Sequence, residues 1–180
     1  TSIRPKWLTM IKIVAYTKTV VFSVFLTIIC NLLVGQNNIT SKIRILRGSN
    51  VGFNFNSYNR IQNGITYNDF TQLQLYFNDT VAGGIPNPTS QGWQLTVRAL
   101  QPNISGSMTT STLPLESIKI TIKKNGINYG PYDLGATELL LIDGPDATLN
   151  DNVEVSYSCG TDSNPNYNMI NKVPDYYVVD

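Results

Sequence analysis

From Lys42 onward, apolar residues return at every second position, a period that a strand satisfies and a helix does not. Ile43 and Ile45 alternate with Lys42 and Arg44, and Val51, Phe53 and Phe55 alternate with Gly52 and Asn54. The same pattern recurs at Leu73-Leu75-Phe77, Trp93-Leu95-Val97, Ile118-Ile120-Ile122 and Val153-Val155-Tyr157. Leu139–Ile142 is a short continuous apolar run, and Tyr176–Val179 closes the pattern. Each alternating run predicts a strand with one face inward and one outward. Turn chemistry separates the runs: Asn63-Gly64, Gly83-Gly84, Pro86-Asn87-Pro88, Asn125-Gly126 and Asp143-Gly144-Pro145. Asn125-Gly126 predicts a two-residue hairpin, because a type I′ turn needs positive φ at both central positions. It pairs Ile118–Lys124 with the segment around Ile127–Tyr132. No stretch keeps a 3.6-residue period, so little helix is expected. Roughly seven to nine short strands between turns predict an all-β fold, first an immunoglobulin-like β-sandwich and as the alternative a jelly roll.

The chain of 180 residues contains no histidine, which excludes a Ser-His-Asp triad, a histidine general base and a histidine-bearing zinc site. Thirteen basic and twelve acidic residues nearly balance, with no long basic run, so nucleic acid is not an expected partner.

Residues 1–36 read as an address ahead of a single domain at 37–180. Met10 is a candidate initiator, with upstream residues before it. Lys12 and Lys18 form a basic region, and Thr19–Val34 is an apolar run of sixteen residues ending before Gly35. A basic segment, an apolar segment and a small residue make a secretory signal peptide with a hydrophobic signal helix. A transmembrane anchor needs about 20 apolar residues, and this run is shorter and carries Asn31. A lipoprotein signal wants a small residue before its cysteine, where Cys30 has Ile29. Leu32-Leu33-Val34-Gly35-Gln36 resembles signal peptides of the Bacteroidetes group, which implies cleavage between Gly35 and Gln36. The remaining chain carries nine basic and twelve acidic residues and has no charge-driven pull toward nucleic acid or an anionic membrane. It retains one cysteine, Cys159, expected to be buried because Val153, Val155 and Tyr157 lead into it with strand spacing.

Gly92-Trp93-Gln94-Leu95-Thr96-Val97 is followed by Leu113-Pro114-Leu115-Glu116-Ser117-Ile118. This arrangement resembles the WxL-type surface domains of bacteria, in which a Gly-Trp-x-Leu-x-Val strand precedes an Ile/Leu-Pro-x-x-x-Ile strand. The resemblance covers about Phe70–Lys124 and rests on Gly92, Trp93, Leu95 and Val97. It implies an exported β-rich domain that associates with cell walls or surface fibres. The second Trp-x-Leu motif of that family has no counterpart here, where the end reads Tyr176-Tyr177-Val178-Val179. On the residues alone, Trp93 is expected to pack between sheets.

Tyr58, Tyr67, Tyr129, Tyr132 and Tyr167 lie in or near stretches rich in Asn and Gly and are the candidate ligand contacts. Aromatic faces beside amide side chains suit a carbohydrate. Glu116, Glu138 and Glu154 are the carboxylates available for glycosidase chemistry, but each sits within strand alternation and nothing pairs them. No cofactor is expected. Calcium is the one alternative, through the oxygen ligands Asp143, Asp146, Asn150, Asp151 and Asn152, whose spacing is not that of an EF-hand. A strand missing near the closing segment Pro174–Asp180 would leave unpaired edges able to accept a strand from another molecule. The expectation is a secreted, non-enzymatic cell-surface domain with a structural, adhesion or fibre-subunit role. Its partners would be surface polymers or surface proteins, including further copies of itself, with no membrane contact after leader cleavage. The alternative is a carbohydrate-binding module using the loop tyrosines.

Overall fold

The computed structural model describes residues 38–178, so the leader, Cys30 and the last two residues lie outside the described residues. The described chain is all-β with antiparallel pairing throughout and one six-residue helix. The first sheet runs β1 (Asn38–Arg47), β3 (Ile65–Val81), β11 (Thr148–Cys159), β8 (Ile118–Lys124), β9 (Ile127–Asp133), with β4 (Ile85–Pro86) also on β3. A two-stranded sheet joins β5 (Trp93–Val97) to β10 (Leu139–Gly144), and a four-stranded sheet runs β2 (Phe53–Asn54), β12 (Tyr176–Val178), β6 (Asn103–Gly106), β7 (Thr112–Pro114). The inward side chains of all three sheets share one core, as in a β-sandwich.

Period-2 spacing becomes core faces directly. Ile118, Ile120 and Ile122 of β8 are buried, as are Val153 and Val155 of β11, Trp93 and Leu95 of β5, and Phe53 and Phe55 around β2. Asn125 and Gly126 take φ of 52° and 79°, and β8 pairs β9 antiparallel with Lys124 opposite Ile127, as the hairpin signal predicted. Asn63-Gly64, by contrast, does not join two strands. It ends helix α1 (Tyr58–Asn63), with Ser57 as N-cap and Gly64 as C-cap. The expectation of seven to nine short strands is corrected in length, since β3 and β11 are long. β3 has 17 residues, because Asp69 at φ 47° kinks it without ending it. The irregularity is stapled from outside: Ser156 Oγ accepts from the Asp69 amide at 2.8 Å, and Lys123 lies 3.0 Å from Asp69 and 2.9 Å from Glu154. Glu154 and then Asp69 hold the Lys123 ammonium above its ordinary pKa.

Asp175 ties the 107–111 loop to β12. Its carboxylate accepts from Thr109 Oγ1 at 2.6 Å, from the amides of Thr109 and Met108, and from the Tyr176 amide. The Thr109 hydroxyl leads these contacts in lowering the Asp175 pKa. A depressed folded pKa gives stability that is present above the unfolded value, about 3.9, and lost as the pH falls toward the folded one. Acidification below that value is expected to release this loop first, read as early loss of amide protection at Met108 and Thr109. Asp175→Asn should show the same exchange at pH 7, and unchanged protection in that variant would refute the carboxylate's role.

Candidate functional site at an open sheet edge

Among the described residues, β1 is a ten-residue strand whose predicted inward face stays uncovered. It pairs only with β3 among the described residues, with Ile43 opposite Leu75, Ile45 opposite Leu73 and Ile39 opposite Asp79. Residues directly opposite in an antiparallel ladder share a face. Ile39, Ile43 and Ile45 therefore extend the same face as Leu73, Leu75 and Phe77. Leu75 is 4% exposed, yet Ile39, Ile43 and Ile45 are 66%, 62% and 53% exposed. The expectation of one buried face on this strand is thus corrected. Among the described residues the second layer reaches β3 and does not cover β1, which leaves these isoleucines exposed. Its opposite face carries Lys42 and Arg44, with the Lys42 ammonium 5.9 Å from the centroid of the Tyr76 ring. Basic side chains on an edge strand discourage uncontrolled pairing.

Where the second layer stops there is a cavity of about 370 Å³, lined by Ile43 of β1, Leu75 and Phe77 of β3, Leu149 of β11, and Trp93 and Leu95 of β5. Gly92 sets the entry to β5. Its φ is 75°, and a Cβ there would collide with the Gly144 carbonyl oxygen, so only glycine lets β5 start this close to β10. Trp93 is 8% exposed, a core residue as expected. Its ring takes the Lys124 ammonium at 4.6 Å, and Lys124 in turn pairs with Asp151 at 3.4 Å. The Trp93 indole N–H has no acceptor among the described residues. A larger cavity of about 570 Å³ lies between Val97–Ala99, the β12 residues Tyr176–Val178, and Ile118, Ile120 and Tyr157 of the first sheet.

The five candidate tyrosines are not brought together as a loop platform. Tyr67 lies in β3, stacked on Phe53 at 5.6 Å with its hydroxyl donating to the Gly52 carbonyl. Tyr129 and Tyr132 lie in β9 opposite Ile122 and Ile120 and pack on the core. Tyr167 is half-buried in the turn after β11, and Tyr58 at the start of α1 is 79% exposed. Strand pairing, which local composition does not reveal, turned three of these rings inward. The oxygen-rich segment after Asp143 is dispersed in the same way. Asp151 stands opposite Leu75 and Asn150 opposite Tyr76, so they point to opposite faces of β11. Among the described residues no three His, Cys, Asp or Glu side chains converge as metal ligands. Glu154 is held by Lys123 and, at 3.9 Å, by Arg47.

The exposed isoleucines were missed because alternation gives the period of a strand and not its place in the sheet. Lys42, Arg44 and Arg47 within one ten-residue strand were the available signal of an edge.

No family model, no curated protein and no solved structure matches this chain. The reading of its function rests on the geometry just described.

Proposed function

We propose that this is an exported, non-enzymatic domain of the bacterial cell surface, an immunoglobulin-like β-sandwich that serves as a structural, adhesion or fibre subunit through sheet-edge and loop contacts. The observation that carries the reading is β1. A ten-residue edge strand exposes three isoleucines on the face that its own sheet buries. Contiguous exposed apolar surface on a folded domain marks a contact with something else. Export accords with the basic and apolar leader at 12–34 and with a domain that leaves its single cysteine fully buried. Resemblance to WxL-type domains points to the same compartment and contact class.

The test is fractionation of cells that make the full chain. The protein is expected in the surface fraction, in multimers or polymer-bound complexes that survive mild denaturant. Ile39→Lys with Ile45→Lys should release it as a monomer with an unchanged melting temperature, since both side chains are exposed. Protein confined inside the cell, or equal retention of the double variant, would overturn the reading.

A further inference from the structure

The first sheet has two edges, and they are built differently. β9 pairs with β8 alone among the described residues and makes a poor template for another strand. Pro131 within it has no N–H to donate, and its register against β8 shifts between Ile120 and Ile122. β1 has no proline, and its register against β3 runs unbroken from Asn38 to Ile45. That is roughly 26 Å of regular edge at about 3.3 Å per residue. The two faces of β1 differ as sharply. Ile39, Ile43 and Ile45 stand on the apolar face, whereas Lys42, Arg44 and Arg47 stand on the other, opposite Tyr76, Gln74 and Gln72. Asn150 and Asn152 follow on β11, and of the three cations only Arg47 reaches a carboxylate, Glu154 at 3.9 Å. Lys42 and Arg44 make no ion pair among the described residues.

We propose that the outward edge of β1 takes an extended strand of a different protein, one in which apolar and acidic residues alternate. The inference rests on the surface role proposed above and names the partner's chemistry. An added strand forms main-chain hydrogen bonds along the edge, and its side chains decide whether it fits. Side chains directly opposite across a ladder share a face, so its apolar positions fall beside Ile39, Ile43 and Ile45 and cover them. The positions between fall beside Lys42 and Arg44, where a carboxylate is attracted and a cation repelled. The sheet edges and the leader of this chain do not meet that requirement. β1 of a second copy would set three basic residues against three and bring no acid. β9 of a second copy carries Pro131 and one acid, Asp133, already held by Lys119 at 2.6 Å. Residues 1–37 contain Arg4, Lys6, Lys12 and Lys18 and no Asp or Glu, so they bring no counter-charge. Charge points to another chain.

The experiment uses the full chain and a fluorescein-labelled synthetic peptide of about nine residues, valine at odd positions and aspartate at even ones, which spans the regular edge at about 3.3 Å per residue. Saturable binding is expected by anisotropy. It should be roughly tenfold weaker, about 1.4 kcal/mol, for the same peptide with lysine in place of aspartate. A peptide of the first composition with its valines in one block should bind as weakly. Lys42→Glu with Arg44→Glu should reverse the charge preference, and both side chains are exposed, so folding is preserved. The alternate β1 amides that face away from β3 should exchange more slowly once the acidic peptide is bound. The proposal is overturned if neither charged peptide binds, if the block peptide binds equally well, or if the double variant keeps the original preference. Slow exchange of those amides without peptide would overturn it by showing the edge covered by the protein's own chain. Self-association that the peptide displaces would overturn it in favour of a second copy. The two readings fail separately. A surface-retained protein that ignores the peptide refutes the partner's chemistry alone, and a protein confined inside the cell that binds it refutes the surface role alone.

Discussion

Trp93→Ala is expected to cost about 3–5 kcal/mol of stability, the usual price of deleting a buried large aromatic side chain. For a domain of this size the melting temperature should fall by roughly 10 °C or more. The ring is almost wholly buried, and the space beside it is limited by Gly144, where a Cβ would come within 3.0 Å of the indole. Truncation would also release Lys124 from its aromatic face and leave it with Asp151 alone. Trp93→Phe should behave differently. It keeps a ring in the core and removes an indole N–H that has no acceptor among the described residues, so the loss should stay below about 1.5 kcal/mol. A wall-contact role for this residue predicts the reverse, with stability unchanged and binding lost in both variants. Thermal unfolding and surface retention of the two variants separate the alternatives. A melting temperature within a degree or two of wild type for Trp93→Ala would refute the core role.

Cys159 should make the protein increasingly unstable in alkali. The side chain ends β11 between Ile65 of β3 and Ile118 of β8, fully buried. Burial pushes its thiol pKa from 9.0 up to about 12. An unfolded thiol releases its proton near pH 8.5, at roughly the free-cysteine value. Between that pH and the folded pKa the unfolded state binds fewer protons, so stability falls as pH rises. It is whole below about pH 8.5 and declines by about 1.4 kcal/mol per unit above it. Burial also raises the pKa of Tyr157 and Tyr177, which add to the slope in the same direction. The difference between wild type and Cys159→Ala isolates the thiol. Denaturant midpoints from pH 8 to 10 should fall more steeply for the wild type, and a thiol reagent at pH 8 should modify Cys159 only after unfolding. Equal slopes for the two proteins would remove the claim.

The sequence by itself determined that the chain is all-β, where most of the strands lie, which side chains form the core of β2, β5, β8 and β11, and the hairpin at Asn125-Gly126. These follow from short-range causes: the two-residue period of a pleated strand and the positive φ that Asn-Gly tolerates. It also marked Trp93 and Cys159 as interior residues, because each sits in phase with apolar neighbours. Only the tertiary structure decided which strand stands at the edge and how far the second layer extends. Ile43 and Ile122 carry the same local signal, yet one is largely exposed and the other fully buried. The difference lies in partners brought from far along the chain. Ile122 lies in β8, flanked by β11 and β9, whereas Ile43 in β1 has β3 on one side and no second strand among the described residues. The same long-range pairing turned Tyr67, Tyr129 and Tyr132 inward. Burial depends on what crosses over a residue, and local periodicity does not encode what crosses over it.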